Sequence, residues 1–199
     1  MQMQILELFA KIKRHIYIAL GIYAFIYAFL LFVYFLQYFS YSLHLILGYY
    51  YIVIESVFYT IYALFMARGI FLLSRISKKR IFIYCLIDLF LVYVCNVLDH
   101  SSLSVYLSPA SNKFYLTYNL LKWTITINYA LYMWELFKIS NKNFFIYSLI
   151  AAILSVSVGL FDYIFWLFGL FKLFLSWLAF LAFVIAWIQF KQIPAKKYF

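Results

Sequence analysis

Three ionisable side chains lie deep inside apolar runs of this chain: Glu55, Asp88 and Lys122. A charge at the centre of a hydrocarbon layer costs about 3 kcal/mol on insertion scales. Such a residue needs a partner, contact with water, or a task that uses its proton or charge. Each of the three belongs to a polar stripe at helical spacing. Gly48, Tyr51, Glu55, Tyr59 and Tyr62 form the first, and Tyr84, Cys85, Asp88, Cys95 and Asp99 the second. Tyr115, Tyr118, Asn119, Lys122, Thr126 and Tyr129 form the third. Stripes of this kind either wall a polar pathway, with Asp88 or Glu55 taking up a proton or cation, or act as hydrogen-bonding glue between helices.

The elements that must carry these residues are long apolar runs. The 199 residues are 69% hydrophobic and 11% charged, whereas soluble domains are nearer half apolar and about a quarter charged. A spanning helix takes about 20 residues. Six runs of that size fit the chain, at about 16–37, 43–67, 81–98, 114–138, 143–161 and 164–190. Short polar segments separate them, from Gln37 to Ser42, Arg68 to Arg80, Asp99 to Lys113, Lys138 to Asn143, and at a hairpin near Asp162. The expected fold is all-α, a polytopic transmembrane helical bundle of six spans, with residues 1–199 forming one integral membrane domain. No cleavable signal sequence is expected, because the first apolar run exceeds the length of a signal h-region and lacks a small-residue cleavage site.

Basic residues set the orientation. Of the 16 Lys and Arg residues, Lys113 alone falls in the outer loops, and Lys122 and Lys172 fall inside spans. The remainder gather at the opposite ends, which places both termini in the cytoplasm. The net charge of +10 therefore reports topology, and a nucleic-acid partner is excluded. The leader 1–14 carries Ile5, Phe9 and Ile12 on one face and Glu7, Lys11 and Arg14 on the other. It reads as an amphipathic helix on the cytoplasmic surface, or as a solvated basic leader. Aromatic residues near span ends, among them Tyr17, Tyr38, Phe39, Tyr41, Tyr115, Trp166 and Trp187, suit an interfacial belt.

Depth decides which buried groups can meet. Counted from the cytoplasmic ends, Glu55 lies at about 18 Å, Lys122 at about 22 Å and Asp88 at about 10 Å. The lysine stem spans the first difference and covers the second poorly, so Glu55 and Lys122 are the expected ion pair. Asp88 is left neutral, or in contact with a pore or with cytoplasmic water, with Tyr59 and Asn128 near its level. The pairing predicts that Glu55→Gln and Lys122→Met together are better tolerated than either alone. A double-mutant cycle on folded yield should show a coupling of about 0.5–3 kcal/mol, and additive losses would remove the pair. Lys172, near the outer end of the last span, snorkels to the interface.

Small residues mark packing seams within the chain or between copies: Ala24 and Ala28, then Ala151, Ser155 and Gly159, then Ala182 and Ala186. Cys85 and Cys95 share one expected helix, about 15 Å apart, too far for a bridge. His44, Asp99, His100 and Asp162 all fall on the outer side. They are weak candidate ligands for a metal such as zinc, but their spacing matches no metal signature, and ordinary polar loop residues are the preferred account of them. The histidines could also sense external acid. No nucleophile–base constellation, thiol motif or phosphate-binding glycine loop occurs, so no enzyme activity and no cofactor are expected.

The cytoplasmic segment Arg68 to Arg80 could attract anionic head groups or a cytosolic partner, although topology alone accounts for it. The tail Lys196-Lys197-Tyr198-Phe199 resembles a dilysine retrieval signal of the endoplasmic reticulum, in a tail that is basic for topological reasons. The leading expectation is a small transport or channel component of a bacterial cytoplasmic membrane, with Glu55, Tyr59, Asp88, Lys122, Thr126 and Asn128 along the path of a small solute or ion. Such a bundle is expected to form homo-oligomers or join a membrane complex. The rivals are a non-transporting subunit or assembly factor, and a membrane-embedded enzyme; the rival location is the endoplasmic reticulum membrane.

Overall fold

The structure is a computed structural model that describes residues 2–37, 41–77, 79–100, 112–159 and 166–190. Six helices account for nearly all of them: α1 (Gln2–Gln37), α2 (Tyr41–Ser77), α3 (Ile81–His100), α4 (Asn112–Ser140), α5 (Phe144–Gly159) and α6 (Trp166–Gln189). There is no strand among the described residues. The chain is rich in Ile, Phe and Tyr, which are mediocre helix formers in water. A helix nonetheless satisfies every backbone group within one segment, which an apolar solvent demands. The 38–40, 101–111 and 160–165 stretches, and with them most of the loops expected on the outer side, lie outside the described residues, as does the tail from 191 onward.

Two boundaries differ from expectation. The leader and the first span form one uninterrupted helix, α1. The segment from Arg68 is not a loop, because α2 runs on to Ser77. The basic segment Arg68 to Arg80 suggested a break, yet arginine is a good helix former, and Gly69 lies in close contact with α1. A Cβ at Gly69 would lie 2.6 Å from Cδ1 and 2.9 Å from Cγ1 of Ile16, which is itself fully buried.

The chain falls into two compact units, Met1–Leu73 and Ser74–Phe199. In the first, α1 and α2 run antiparallel, as Ile16 meets Gly69 and the rings of Tyr23 and Tyr62 stand 5.0 Å apart. This register puts Ile12 level with Leu73, and both are fully buried. Of the expected α1 seam, Ala24 is half-buried and Ala28 exposed.

In the second unit α3 packs on α4, α4 on α5, and α5 on α6. Here the small-residue seam joins helices of one chain. Ser155 Oγ meets Ser176 Oγ at 2.7 Å and donates to the Lys172 carbonyl at 3.1 Å. One end of the unit is closed by aromatic rings, with Phe145 edge-on to Trp187 at 5.9 Å and to Phe183 at 5.9 Å. Trp187, assigned from sequence to the interfacial belt, is instead fully buried.

Asn141 makes the turn from α4 to α5. Its φ of 55° is left-handed, a region that asparagine tolerates better than other residues with a side chain. Its N–H donates to the Phe137 carbonyl at 2.7 Å, and the Lys142 N–H donates to Ser140 Oγ at 3.2 Å. The Asn143 carbonyl then accepts from the Tyr147 N–H at 3.0 Å, starting α5. Asn141→Val should cost about 1–2 kcal/mol, while Asn141→Gly should be close to neutral. Thermal unfolding of the purified variants checks this, and a Val variant as stable as the parent would exclude the left-handed turn.

Large apolar side chains are exposed over much of the surface, more than a protein in water ordinarily shows in contiguous patches. Among the described residues one stretch, Val53–Ser77, is long and apolar enough to cross a membrane by length and composition, and Ile81–Cys95, Phe144–Val158 and Phe174–Gln189 are shorter apolar helices. Their outward faces are greasy: Leu64 and Phe90 are each 66% exposed. On α6, Phe174, Leu178, Leu181, Ile185 and Ile188 form a continuous exposed line. The interior is itself mainly apolar, with Ile12, Ile16, Ile70, Leu73, Met133 and Leu136 fully buried, and admits a few polar residues, Ser77, Thr126, Asn128, Ser140, Ser148 and Ser155 among those described.

Candidate functional site

Asp88 stands one turn after Tyr84 on α3, and Asn128 faces it from α4. The Asn128 Nδ2 donates to the Tyr84 carbonyl at 2.9 Å, a backbone oxygen already engaged in the helix ladder. The same amide is the hydrogen-bonding neighbour of the Asp88 carboxyl. Asp88 Oδ1 is buried and has no hydrogen-bond partner in the structure. The Cys85 thiol, fully buried three residues before Asp88, lies beside the Tyr132 hydroxyl and within electrostatic reach of the carboxyl. Asp88, Asn128, Cys85 and Tyr132 thus form a polar cluster at the α3–α4 seam.

Chemically, the cluster presents one carboxyl, one carboxamide, one phenol and one thiol in an apolar surround. Its spare oxygen can hold a proton or accept a hydrogen bond from a bound species. A buried polar atom without a partner is costly, so a group of this kind is retained either at a cost to stability or because something visits it. Tyr132 escaped the sequence reading, although its place one turn beyond Asn128 was the signal that could have found it.

The remaining pathway candidates divide between the units. Thr126 is buried, and its hydroxyl donates to the Lys122 carbonyl at 2.9 Å, within α4. Lys122 is half-buried on the same helix. Glu55 and Tyr59 belong to the first unit. There Tyr59 is buried against Tyr62, ring centroids 5.5 Å apart, and Tyr23 packs on Tyr27 and Tyr62 at 5.0 Å each. The Tyr23 and Tyr27 hydroxyls are 3.5 Å apart. Glu55 stands one turn before this tyrosine cluster and is half-buried.

A second hydrogen-bond set, also unforeseen, ties α4 to α5 and α6. Tyr129 OH meets Ser148 Oγ at 2.8 Å, and Ser148 Oγ donates to the Ala179 carbonyl at 2.7 Å. Ser148 is fully buried. These contacts hold helices together and leave no unsatisfied group for a ligand. At the end of α4, Lys138 pairs with Glu135 at 2.9 Å and lies 5.5 Å from the Trp134 ring centroid.

Cys85 and Cys95 are free and buried on one continuous helix, which rules out a bridge between them. There is no group of three or more potential metal ligands among the described residues. Of the outer candidates, His44 lies on α2, Asp99 and His100 close α3, and their side chains, like all of Asp162, lie outside the described residues. No protein-family model, curated protein or solved structure matches the chain.

Proposed function

We propose that this chain is an integral membrane protein of six spans with both termini cytoplasmic, and that it serves as a small transport or channel component. The membrane reading rests on the apolar surface of long apolar helices, where Leu64, Phe90, Phe174 and Ile188 are exposed. Water disfavours that arrangement and hydrocarbon favours it. Basic residues at alternate helix ends supply the orientation, and the composition suits a bacterial cytoplasmic membrane.

One observation carries the transport reading. Asp88 places an unpartnered carboxyl oxygen between two spans, beside Asn128. An ionisable group in that position exchanges a proton or receives a small cation. Lys122, Thr126, Glu55 and Tyr59 are further candidate contacts for the solute. The test is whether Asp88→Asn stops flux in reconstituted vesicles while the protein still folds.

A non-transporting subunit or assembly factor is the second reading, and the Tyr129–Ser148–Ala179 and Ser155–Ser176 hydrogen bonds favour it. Those bonds show polar groups spent wholly on fastening helices, the role the whole polar interior would have in a scaffold.

A further inference from the structure

Two helices of the first unit change character at the same height. Along the outward face of α1, Phe32, Phe25 and Ile18 are exposed, and the next exposed positions on that face are Arg14 and Lys11. Along α2, Val53, Val57, Ile61 and Leu64 are exposed, followed one turn later by Arg68. The contact between Ile16 and Gly69 fixes the register of the pair. By that register the two switches from apolar to basic lie within about 5 Å of each other along the helix axes. Each helix therefore marks the same boundary.

Three cations converge at this boundary. Arg14 neighbours His15, Lys11 stands one turn before it, and Arg68 neighbours Gly69, where a Cβ would lie 3.5 Å from His15 Cβ. All three are exposed, and none is paired with a carboxylate among the described residues. Glu7, one turn before Lys11, is the acid closest to them along α1, and no ion pair joins the two. Lys13 turns elsewhere, over the Tyr17 ring at 5.3 Å.

We infer that Lys11, Arg14 and Arg68 form a binding site for the phosphate of an anionic lipid headgroup in the cytoplasmic leaflet. The inference rests on the membrane reading above. Two guanidinium groups can grip phosphate oxygens in bidentate fashion, and the lysine adds a point charge. The apolar faces below the site receive the acyl chains, which is why the occupant is a lipid. His15 lies beneath the three cations with both ring nitrogens buried and unpartnered. Burial, then Arg68, Lys11 and Arg14 hold its pKa below the ordinary 6.5, so it adds no fourth charge near neutral pH.

The experiment uses the full chain in bilayers of phosphatidylcholine with a minor fraction of phosphatidylglycerol. Lipids that stay with the protein are counted by native mass spectrometry. Phosphatidylglycerol should be enriched on the wild-type protein, and Arg14→Gln with Arg68→Gln should weaken that retention about thirtyfold, at one basic residue's attraction apiece. Lys79→Gln with Arg80→Gln, which alters turn cations outside the site, should leave it unchanged. Equal retention of both lipids by the wild type overturns the inference without any variant, and so does undiminished retention by the arginine pair. If inorganic phosphate in pure phosphatidylcholine occupies the same arginines as tightly, the ligand is a free anion and the lipid assignment fails. Vesicle flotation separates the two levels: a chain that does not float loses the membrane reading and this inference together, whereas one that floats without headgroup preference loses only the inference.

Discussion

Asp88→Asn should reduce solute-coupled proton or cation flux to the level of empty vesicles. Asparagine preserves the shape of the side chain and can still meet Asn128, so packing at the α3–α4 seam is retained. It replaces one carboxyl oxygen by an amide nitrogen and so removes the group's ability to ionise, and with it any exchange of a proton beside Oδ1, which has no partner in the structure. The measurement is a pH-dye or ion-gradient assay on reconstituted protein, with far-UV circular dichroism to show the helices intact. Asp88→Glu, which keeps the charge on a longer stem, should retain part of the flux. Unchanged flux in Asp88→Asn, with a stability equal to or above that of the parent, would assign the cluster to helix fastening and favour the scaffold reading.

Gly69→Leu should separate α1 from α2. The first carbon of any side chain at this position would fall 2.6 Å from Ile16 Cδ1. Ile16 is fully buried and has little room to turn away. Overpacking of this kind costs about 1–3 kcal/mol for a small intrusion, so Gly69→Ala should lose an amount in that range and Gly69→Leu more. Shortening the neighbour should restore the fit, and Gly69→Ala combined with Ile16→Ala should be more stable than the two separate losses imply. Gly21 is the internal control. A Cβ there meets nothing within 4 Å, and Gly21→Ala should be neutral or gain up to about 1 kcal/mol. Unfolding of detergent-purified protein by heat or by sodium dodecyl sulfate reads all four. Equal gains in Gly21→Ala and Gly69→Ala would show that glycine acts through helix propensity and not through the α1–α2 contact.

Helices were legible in the sequence because apolar length and helical spacing leave few alternatives. Ile81–His100 and Phe144–Gly159 begin within a residue of the expected spans. The polar turn at Asn141 was visible for the same reason, as Lys138 to Asn143 interrupts an apolar run. Arg68 was misread because charge resembles a loop when one asks only where hydrocarbon ends. A helix can carry charged residues and continue, and α2 does so as far as Ser77. Gly69 was invisible as a contact, since one glycine beside an arginine carries no periodicity and its role depends on Ile16, more than fifty positions away. Asp88 and Asn128 could be placed at one level by counting rise per residue. The Ser148 bond to Ala179 could not, because a backbone carbonyl leaves no mark in composition.

The burial of both thiols on α3 has a practical consequence. Cys85 and Cys95 are 2% and 8% exposed, so the native chain offers almost no target to a water-soluble maleimide. A cysteine introduced at Arg75 or at Lys113 would be tagged against a nearly silent background, from one face of a sealed vesicle or the other. The molecule comes ready for mapping which of its ends look inward, without first being stripped of its own sulfur.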